Sequence, residues 1–482
     1  MASQICRRFY GILTQTYMYK IKIYTGAEEF SIDADEGEIL SDVLARAGVY
    51  TENVCGGHGK CGKCIVRVDG NEELSCRYVI HSNISVTLPA EKKIFAVGDE
   101  KNRTELSENV CFVLDIGSTT LVLAAVSTEN GNIIRTISAN NPQRKFGADV
   151  ITRIEYCMKN GVDELRNVLL ASVNRMISEL GISAENMYVA GNTTMLHTFL
   201  GVDCSSIGVS PYRPIFLDSL EKNGADLGIV GVKKVRLLPG ISAFVGADIV
   251  AGINYCGKPE AGKFNILLDL GTNSEIALWN DEKIYCTSAA AGPCFEGGNI
   301  SCGMSATDGG IYRFNRDRTY CVIGDVPPEG LCATGLIDLI AWLLEKNILD
   351  NTGFIENDFQ IEDEIVLKKE DIRNFQLAKS AVYTGISLMM RKAGINFDKV
   401  ESFFVAGGFS ASLDVNSAVK VGLFPKELAG KFRPINNSAL LGTVKFAKEN
   451  ILGFDLNTAE YVNLAEEEDF QEEFVENLMF GR

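Results

Sequence analysis

The chain has 482 residues, of which 46% are hydrophobic and 23% charged, so it is long enough for two or more domains that bury ordinary cores. The formal net charge of −17 excludes nucleic acid as a favoured partner, because most of the surface would repel a polyanion. No run of about 18 apolar residues is present that could cross a bilayer, and the start lacks the apolar core of a signal peptide. Because most of the 14 cysteines have no partner in sequence, we expect a cytoplasmic protein without membrane contact.

Residues 18–90 predict a small β-rich domain with one helix. The stretch "MYKIKIYTGAEEFSIDADEGE" alternates apolar and polar residues and indicates a two-stranded hairpin that turns near Gly26. "ILSDVLARAGV" has the spacing of a short helix that ends at Gly48, and "CIVRVDG" and "SVTLPA" are typical of strands. Residues 91–109 are polar and lack periodicity, so we assign them to a linker.

Four cysteines of this domain have the spacing of a metal or iron-sulfur site. Cys55, Cys61 and Cys64 follow the pattern C-x5-C-x2-C in "VCGGHGKCGKC", and Cys76 follows in "ELSCRY". Four thiolates bind either zinc or a 2Fe-2S cluster. The intervening glycines favour the cluster, because a loop without side chains can wrap closely and direct backbone N–H groups at the bridging sulfides. Zinc, which typically uses two Cys-x2-Cys knuckles, and free thiols are the alternatives.

The remainder, residues 110–482, contains a weak internal repeat that indicates a nucleotide site. "CFVLDIGSTT" and "NILLDLGTNSE" each place a buried strand before Asp, a hydrophobic residue, Gly and small polar residues. The backbone N–H groups and hydroxyls of such a turn can face phosphate oxygens, and the aspartate can hold magnesium through water. In "VAGGFS", Gly407 and Gly408 let a base and ribose lie against the backbone. A purely structural hairpin is the alternative for each loop.

Helical stretches alternate with strand-like runs such as "MYVAGN" and "FFVAGG" through this region. Such alternation predicts an α/β fold in which helices cover the sheets. We divide it into lobes at about 110–260 and 261–450. An acidic helical tail follows, with Phe470, Phe474 and Met479 expected to face inward.

The three glycine-containing loops resemble those of the ATPase superfamily that includes actin, sugar kinases, acetate kinase and the heat-shock chaperones. In that superfamily two lobes close over ATP, and closure is coupled to another event. The resemblance implies an actin-like or sugar-kinase-like ATPase domain that binds ATP and Mg.

A ferredoxin-like domain joined to such an ATPase resembles the reductive activators of corrinoid proteins, from about residue 20 to the C-terminus. The implied fold is a 2Fe-2S ferredoxin-like (β-grasp) domain followed by the two-lobed ATPase domain. The implied activity is ATP-dependent transfer of one electron from the 2Fe-2S cluster, which reduces an inactive Co(II) corrinoid to Co(I). The implied partners are a corrinoid protein of a methyltransferase system and an upstream low-potential electron donor. Further stretches carry the resemblance: "NNPQRKFGADVITRIEY", "VAGNTTMLHTFLGV", "LPGISAFVGADIVAGI", "AAAGPCFEGGNISCGM" and "FQLAKSAVYTGI".

The resemblance also assigns roles to residues by position in the matching motifs. Asp115 and Asp269 are implied to be the catalytic pair at phosphate and magnesium. The other nucleotide residues are Ser118, Thr119, Gly271, Thr272 and Asn273 at the phosphates and Gly407 and Gly408 at the adenosine. The implied cluster ligands are Cys55, Cys61, Cys64 and Cys76.

One departure from the family pattern is the short linker, because many members carry an extra domain between the cluster and the ATPase. Three rival functions remain on the sequence. The first is an ATP-driven electron injector for another low-potential enzyme, and the second is an ATP-sensing binding module. The third is a small-molecule kinase in which Asp269 acts as base. A homodimer is one oligomeric state compatible with the sequence.

Overall fold

The computed structural model describes residues 17–25, 28–47, 49, 51, 64–89, 109–147, 149–324, 326–408 and 410–481. The chain divides into two compact units, Met1–Glu91 and Lys92–Arg482. Over these described ranges, no helix is long and apolar enough to cross a membrane.

The first unit is a mixed five-stranded sheet covered by one helix. Its elements are β1 (Met18–Thr25), β2 (Glu28–Asp35), α1 (Leu40–Arg46), β3 (Ile65–Val68), β4 (Asn71–Leu74) and β5 (Ile84–Thr87). The strand order is β2-β1-β5-β3-β4, with β1 antiparallel to β2 and parallel to β5. Alternate residues of β1, Ile21 and Ile23, are fully buried against Leu40 and Leu44 of the helix. The predicted hairpin is therefore confirmed, whereas its turn at Gly26 lies outside the described residues.

The second unit begins with a six-stranded sheet, which we call lobe 1 together with its helices. Its elements are β6 (Val110–Ile116), β7 (Thr120–Ser127), β8 (Ile133–Asn140), α2 (Val150–Asn160), α3 (Asp163–Leu180), β9 (Asn186–Gly191), α4 (Thr193–Leu200), β10 (Leu220–Asn223), α5 (Gly224–Leu227), β11 (Lys234–Leu237) and α6 (Ala247–Cys256). The strand order is β10-β11-β9-β6-β7-β8. β6, β7 and β8 form an antiparallel meander, and β9 lies parallel to β6.

A second six-stranded sheet repeats this plan, and we call it lobe 2 together with its helices. Its elements are β12 (Phe264–Asp269), β13 (Ser274–Trp279), β14 (Ile284–Ala289), β15 (Gly310–Phe314), β16 (Tyr320–Val322), β17 (Gly330–Leu331), α7 (Ala333–Glu345), β18 (Phe359–Gln360), β19 (Val366–Leu367), α8 (Lys369–Lys392), β20 (Val400–Ala406), α9 (Val415–Lys420), β21 (Phe432–Pro434), α10 (Ser438–Glu449), β22 (Ala459–Tyr461) and α11 (Phe470–Glu476). The order β21-β20-β12-β13-β14-β22 places β20 parallel to β12, as β9 lies to β6. The internal repeat of the sequence is thus a repeat of topology.

Each lobe has one helix that packs against the sheet of the other lobe. Ile249 of α6 lies in a hydrophobic cluster with the sheet of lobe 2, and Leu440 of α10 lies in a cluster with the sheet of lobe 1. The two helices cross so closely that a Cβ atom on Gly442 would lie 1.7 Å from the carbonyl oxygen of Ala251. Only glycine permits this contact, which lies where the two lobes meet.

The C-terminal helix α11 packs against α8, with Phe470 and Phe474 against the same cluster as predicted. The prediction for Met479 is wrong, because this side chain is 40% exposed and Phe480 is the buried residue at 2%. The cause is Lys379, whose buried Nζ donates to the carbonyl of Met479 and lies 5.2 Å from the Phe480 ring centroid. Because this hydrogen bond fixes the backbone at residue 479, the Phe480 ring points into the core and the Met479 side chain points away from it.

Candidate functional site

The two aspartates predicted to be catalytic lie at corresponding ends of the two central strands. Asp115 is the second-last residue of β6, and Asp269 is the last residue of β12. Each is followed by a short turn that leads into the next antiparallel strand. The turns after these strands, residues 117–119 and 271–273, are the first and second phosphate loops of the sequence analysis, and they contact a common side chain, Glu296.

The first phosphate loop is braced from behind by side chains of lobe 1. Asn141 donates from its backbone to the carbonyl of Thr119 at 2.8 Å and from its amide to the carbonyl of Gly117 at 2.7 Å. The fully buried Arg153 of α2 donates to the carbonyl of Ser118 and, at 2.9 Å, to the carbonyl of Gly147. The carbonyls of all three loop residues are thus bound from the side of lobe 1, whereas the Thr119 hydroxyl donates to Glu296 of lobe 2.

The second phosphate loop is braced mainly by its own lobe. The carbonyl of Thr272 accepts from the N–H of Gly292 at 2.9 Å, and its N–H donates to Glu296 Oε1 at 2.9 Å. Gly271 and Asn273 are half-buried beside it. A Cβ atom on Gly271 would lie 3.3 Å from the same Glu296 oxygen. The carboxylate therefore lies directly against the turn that is predicted to bind phosphate.

The third loop lies beside the second. Gly407 has φ of +110°, and a Cβ atom there would lie 2.8 Å from the carbonyl oxygen of Leu270, so glycine is required. The N–H of Leu270 donates to the carbonyl of Ala406 at 3.3 Å. A Cβ atom on Gly408 would have no atom of the described residues within 4 Å. This open backbone surface suits the flat face of a base and ribose, the role predicted for the two glycines.

Burial raises the pKa of three aspartates around the cleft. It raises the pKa of Asp115 to about 7, although the amide of Asn437 opposes this by donating to Asp115 Oδ2 at 2.8 Å. Burial and then the charges of Asp248 and Asp115 raise the pKa of Asp269 to about 7. Burial also raises the pKa of Asp248, in the first turn of α6, to about 6. All three are half-buried rather than sealed, so a hydrated cation can reach them and relieve the repulsion.

The residues fit magnesium held through water. Among the described residues, no three His, Cys, Asp or Glu side chains are close enough to ligate an ion directly. Magnesium usually keeps several waters and binds one or two carboxylates together with substrate phosphates. Asp115 and Asp269 would hold such an ion between the phosphate loops, where it neutralises phosphate charge.

Five residues that shape this cleft were missed from the sequence. Asp248 and Glu296 are single acids inside glycine- and alanine-rich apolar stretches, "FVGADIVAGI" and "AGPCFEGGN", and that isolation was a usable signal. Asn437, Asn141 and Arg153 act through contacts across the fold, with no local signal in sequence. Asn437 also caps α10 by accepting from the N–H of Leu440 at 2.7 Å, so it links Asp115 to the helix that crosses between the lobes.

Two of the four predicted cluster ligands are described, and they lie together. The sulfurs of Cys64 and Cys76 are 3.1 Å apart, both side chains are buried and neither is in a disulfide. Two thiolates bound to one ion at about 2.3 Å each, the length of a zinc–sulfur bond, lie within about 4.6 Å of each other, so these two thiols are close enough to share one metal ion. Cys55 and Cys61 lie outside the described residues.

Three family models match the chain. The 2Fe-2S iron-sulfur cluster binding domain matches residues 24–83, the RACo middle region matches residues 110–259, and the C-terminal domain of RACo, the ASKHA domain, matches residues 263–482. The first unit is accordingly a ferredoxin-like domain and the second an actin-like and sugar-kinase-like ATPase domain. The predicted fold class and the predicted cofactors, a 2Fe-2S cluster and ATP with Mg, are confirmed.

The similar proteins agree with these models. The corrinoid activation enzyme RamQ of Eubacterium limosum is 27% identical, with 94% of this chain and 98% of the relative covered. That alignment spans 583 residues, more than the 482 of this chain, so RamQ carries segments without a counterpart here. The Co(II) methylated amine-specific corrinoid protein reductase of Methanosarcina barkeri is 23% identical over 65% of each chain. A solved reductive activator for corrinoid, iron-sulfur protein shares the fold, with a TM-score of 0.67, 24% identity, and 96% of this chain and 98% of that chain covered.

Proposed function

The chain belongs to the RACo family, and on this premise we propose that it is an ATP-dependent reductive activator of a corrinoid protein. It delivers one electron to a corrinoid whose cobalt has become inactive Co(II), and so restores Co(I). The observation that carries the proposal is that one chain holds both a buried thiol pair suited to iron and a two-loop cleft suited to MgATP.

A bound 2Fe-2S cluster supplies one-electron transfer, at about −400 mV for plant-type ferredoxins. Every 59 mV by which the acceptor lies below the donor costs a factor of ten for one electron. An acceptor of lower potential therefore needs a second source of free energy, which ATP supplies.

The residues of the second unit define how nucleotide binding acts on the lobes. Ser118, Thr119, Thr272 and Asn273 would hold the phosphates, and Gly407 and Gly408 would hold the adenosine. Asp115 would receive magnesium on one side while Asn437 at the start of α10 donates to it on the other. Since α10 crosses α6 at Gly442, a change at Asp115 is transmitted to the contact between the lobes. We propose that this movement selects the reducible state of the corrinoid protein.

The remaining assignments follow from the same proposal. Cys55 and Cys61 would complete the ligand set of Cys64 and Cys76. The electron would come from a low-potential donor protein in the cytoplasm, where thiols stay reduced. The chain would act alone or as a homodimer.

The test is reduction of Co(II) corrinoid protein by the anaerobically purified and reduced chain, with or without MgATP, followed by visible spectroscopy. We expect the Co(I) band to grow only with MgATP and to be lost in Cys61→Ser and in Asp269→Ala. Glu282→Gln, which changes an exposed acid in the turn between β13 and β14, is the matched control and should behave as wild type. Equal Co(I) yields with and without ATP would contradict the proposal.

A further inference from the structure

One carboxylate spans the two phosphate loops. Oε2 of Glu296 accepts from the hydroxyl of Thr119 at 3.1 Å, and Oε1 accepts from the backbone N–H of Thr272 at 2.9 Å. Thr119 belongs to lobe 1 and Thr272 to lobe 2. Glu296 therefore bridges the lobes through the two donors that we assign to phosphate.

The chain presents this carboxylate from a rigid turn. Glu296 ends the 3-10 turn Pro293–Glu296, which Gly297 closes with φ of +80°. A Cβ atom on Gly297 would lie 2.5 Å from the backbone of Met304, and the N–H of Gly298 donates to the carbonyl of Pro293 at 2.8 Å. The carboxylate is thus placed by packed backbone, and its position is not that of a loosely held surface side chain.

Glu296 is one of a group of acids around the cleft. Burial and the charges of Asp248, Asp115 and Glu296 together raise the pKa of Asp269, so these acids repel one another. The two hydrogen bonds to Glu296 offset that repulsion. A hydroxyl and a backbone N–H serve a phosphate oxygen as well as they serve a carboxylate oxygen.

We propose that Glu296 competes directly with a phosphate of ATP for the Thr119 hydroxyl and the Thr272 N–H. The inference rests on the proposed ATP site and names a regulator within it. Before nucleotide binds, Glu296 links the lobes. A phosphate that takes over both donors breaks this link and joins the lobes through the nucleotide instead. The two states of the cleft therefore differ in which anion, carboxylate or phosphate, accepts from the two loops.

The first test is the affinity for MgATP, measured by titration calorimetry on the full chain. We expect Glu296→Ala to bind MgATP about tenfold more tightly than wild type, the equivalent of one net hydrogen bond that ATP no longer has to displace. Glu296→Gln should lie between the two, because its carboxamide keeps only one acceptor oxygen. Glu282→Gln, which removes an exposed charge from the same lobe, should not differ from wild type. Weaker binding or unchanged binding in Glu296→Ala would overturn the competition.

The second test needs no nucleotide. Thermal unfolding of wild type, Thr119→Val, Glu296→Ala and the double variant forms a double-mutant cycle that isolates the bridge. We expect the double variant to unfold at about the temperature of Glu296→Ala alone, because Thr119 then has no bridge to lose. Additive shifts would overturn the bridge.

A wild-type chain that binds no MgATP would overturn the ATP site and the competition together, whereas weaker binding in Glu296→Ala alone would overturn only the competition.

Discussion

The first and second phosphate loops share one strand-turn-strand frame but are stabilised differently. The first is held by buried side chains of its own lobe, Asn141 and Arg153, whereas the second depends on backbone contacts and on Glu296. Their aspartates also differ. Asp115 has an amide partner, and Asp269 is surrounded by like charges, although burial raises the pKa of each to about 7. A sequence repeat thus preserves the geometry of a site while its electrostatics diverge.

The largest effects should follow removal of the two aspartates. Asp269→Asn and Asp115→Asn should each lower ATP-dependent Co(I) formation by about 10²–10³-fold, because each loses a carboxylate that we propose to hold magnesium at the phosphates. The comparison predicts midpoint shifts of unequal size in nucleotide-free unfolding at pH 8. Asp269→Asn should raise the midpoint, since repulsion from Asp248 and the facing Glu275 is removed. Asp115→Asn should raise it less, because removing the buried charge is partly offset by the weaker hydrogen bond that a neutral amide oxygen accepts from Asn437. Equal midpoint shifts for the two variants would show that the aspartates are equivalent.

The bracing of the first loop should be visible in stability. Arg153→Met keeps the length of the side chain but leaves the carbonyls of Ser118 and Gly147 without these donors. We expect the free energy of unfolding in urea to fall by about 3 kcal/mol and MgATP binding to weaken. Arg175→Met, an exposed arginine of α3 in the same lobe, is the control and should stay within about 0.5 kcal/mol of wild type. Wild-type ATP affinity in a folded Arg153→Met would show that the loop holds its shape without this side chain.

The sequence predicted the parts of this site that repeat locally. An Asp-x-Gly turn after a buried strand can be recognised because strand, turn and acid are neighbours in the chain, and the same holds for the glycines at 407 and 408. Their roles at phosphate and adenosine stay predictions. Asn437 and Arg153 could not be found in this way. Asn437 reaches Asp115 only because α10 packs on the sheet of lobe 1. The packing of a helix on the other lobe produces no pattern in the sequence that could predict such a contact. Glu296 was within reach, as a lone acid in a glycine-rich apolar stretch. Met479 was misjudged because helical spacing cannot anticipate a buried lysine that fixes the last turn.

A smaller effect should separate the two roles of Asn437. Asn437→Ala removes the cap of α10 and the donor to Asp115 together, and we expect a loss of about 2 kcal/mol in the free energy of unfolding. Asn437→Asp keeps a good cap but places a second carboxylate against Asp115. In this variant the loss should be larger at pH 8 than at pH 5, where the pair shares protons. If the loss in Asn437→Asp does not depend on pH, the new carboxylate does not repel Asp115, and the pairing of residue 437 with Asp115 has no part in stability. Asn463→Ala, which removes the cap of an exposed 3-10 turn, is the control for a lost cap.

The pH dependence of unfolding should show the smallest effect. The pKa of Asp115 and of Asp269 is about 7 in the folded state and about 3.9 in an unfolded chain. The folded state therefore binds more protons between pH of about 4 and 7, and the free energy of unfolding falls as pH rises through that window. Because the groups are half-buried, solvent screening limits their contribution to on the order of 1 kcal/mol.

Thermal midpoints compared between wild type and Asp269→Asn isolate this contribution from other titrating groups. We expect wild type to lose more stability than the variant from pH 5 to pH 8, and saturating MgATP to close the gap, because a bound cation stabilises the charged form. If the thermal midpoints of the two proteins change with pH in parallel, Asp269 is not the site of the like-charge repulsion.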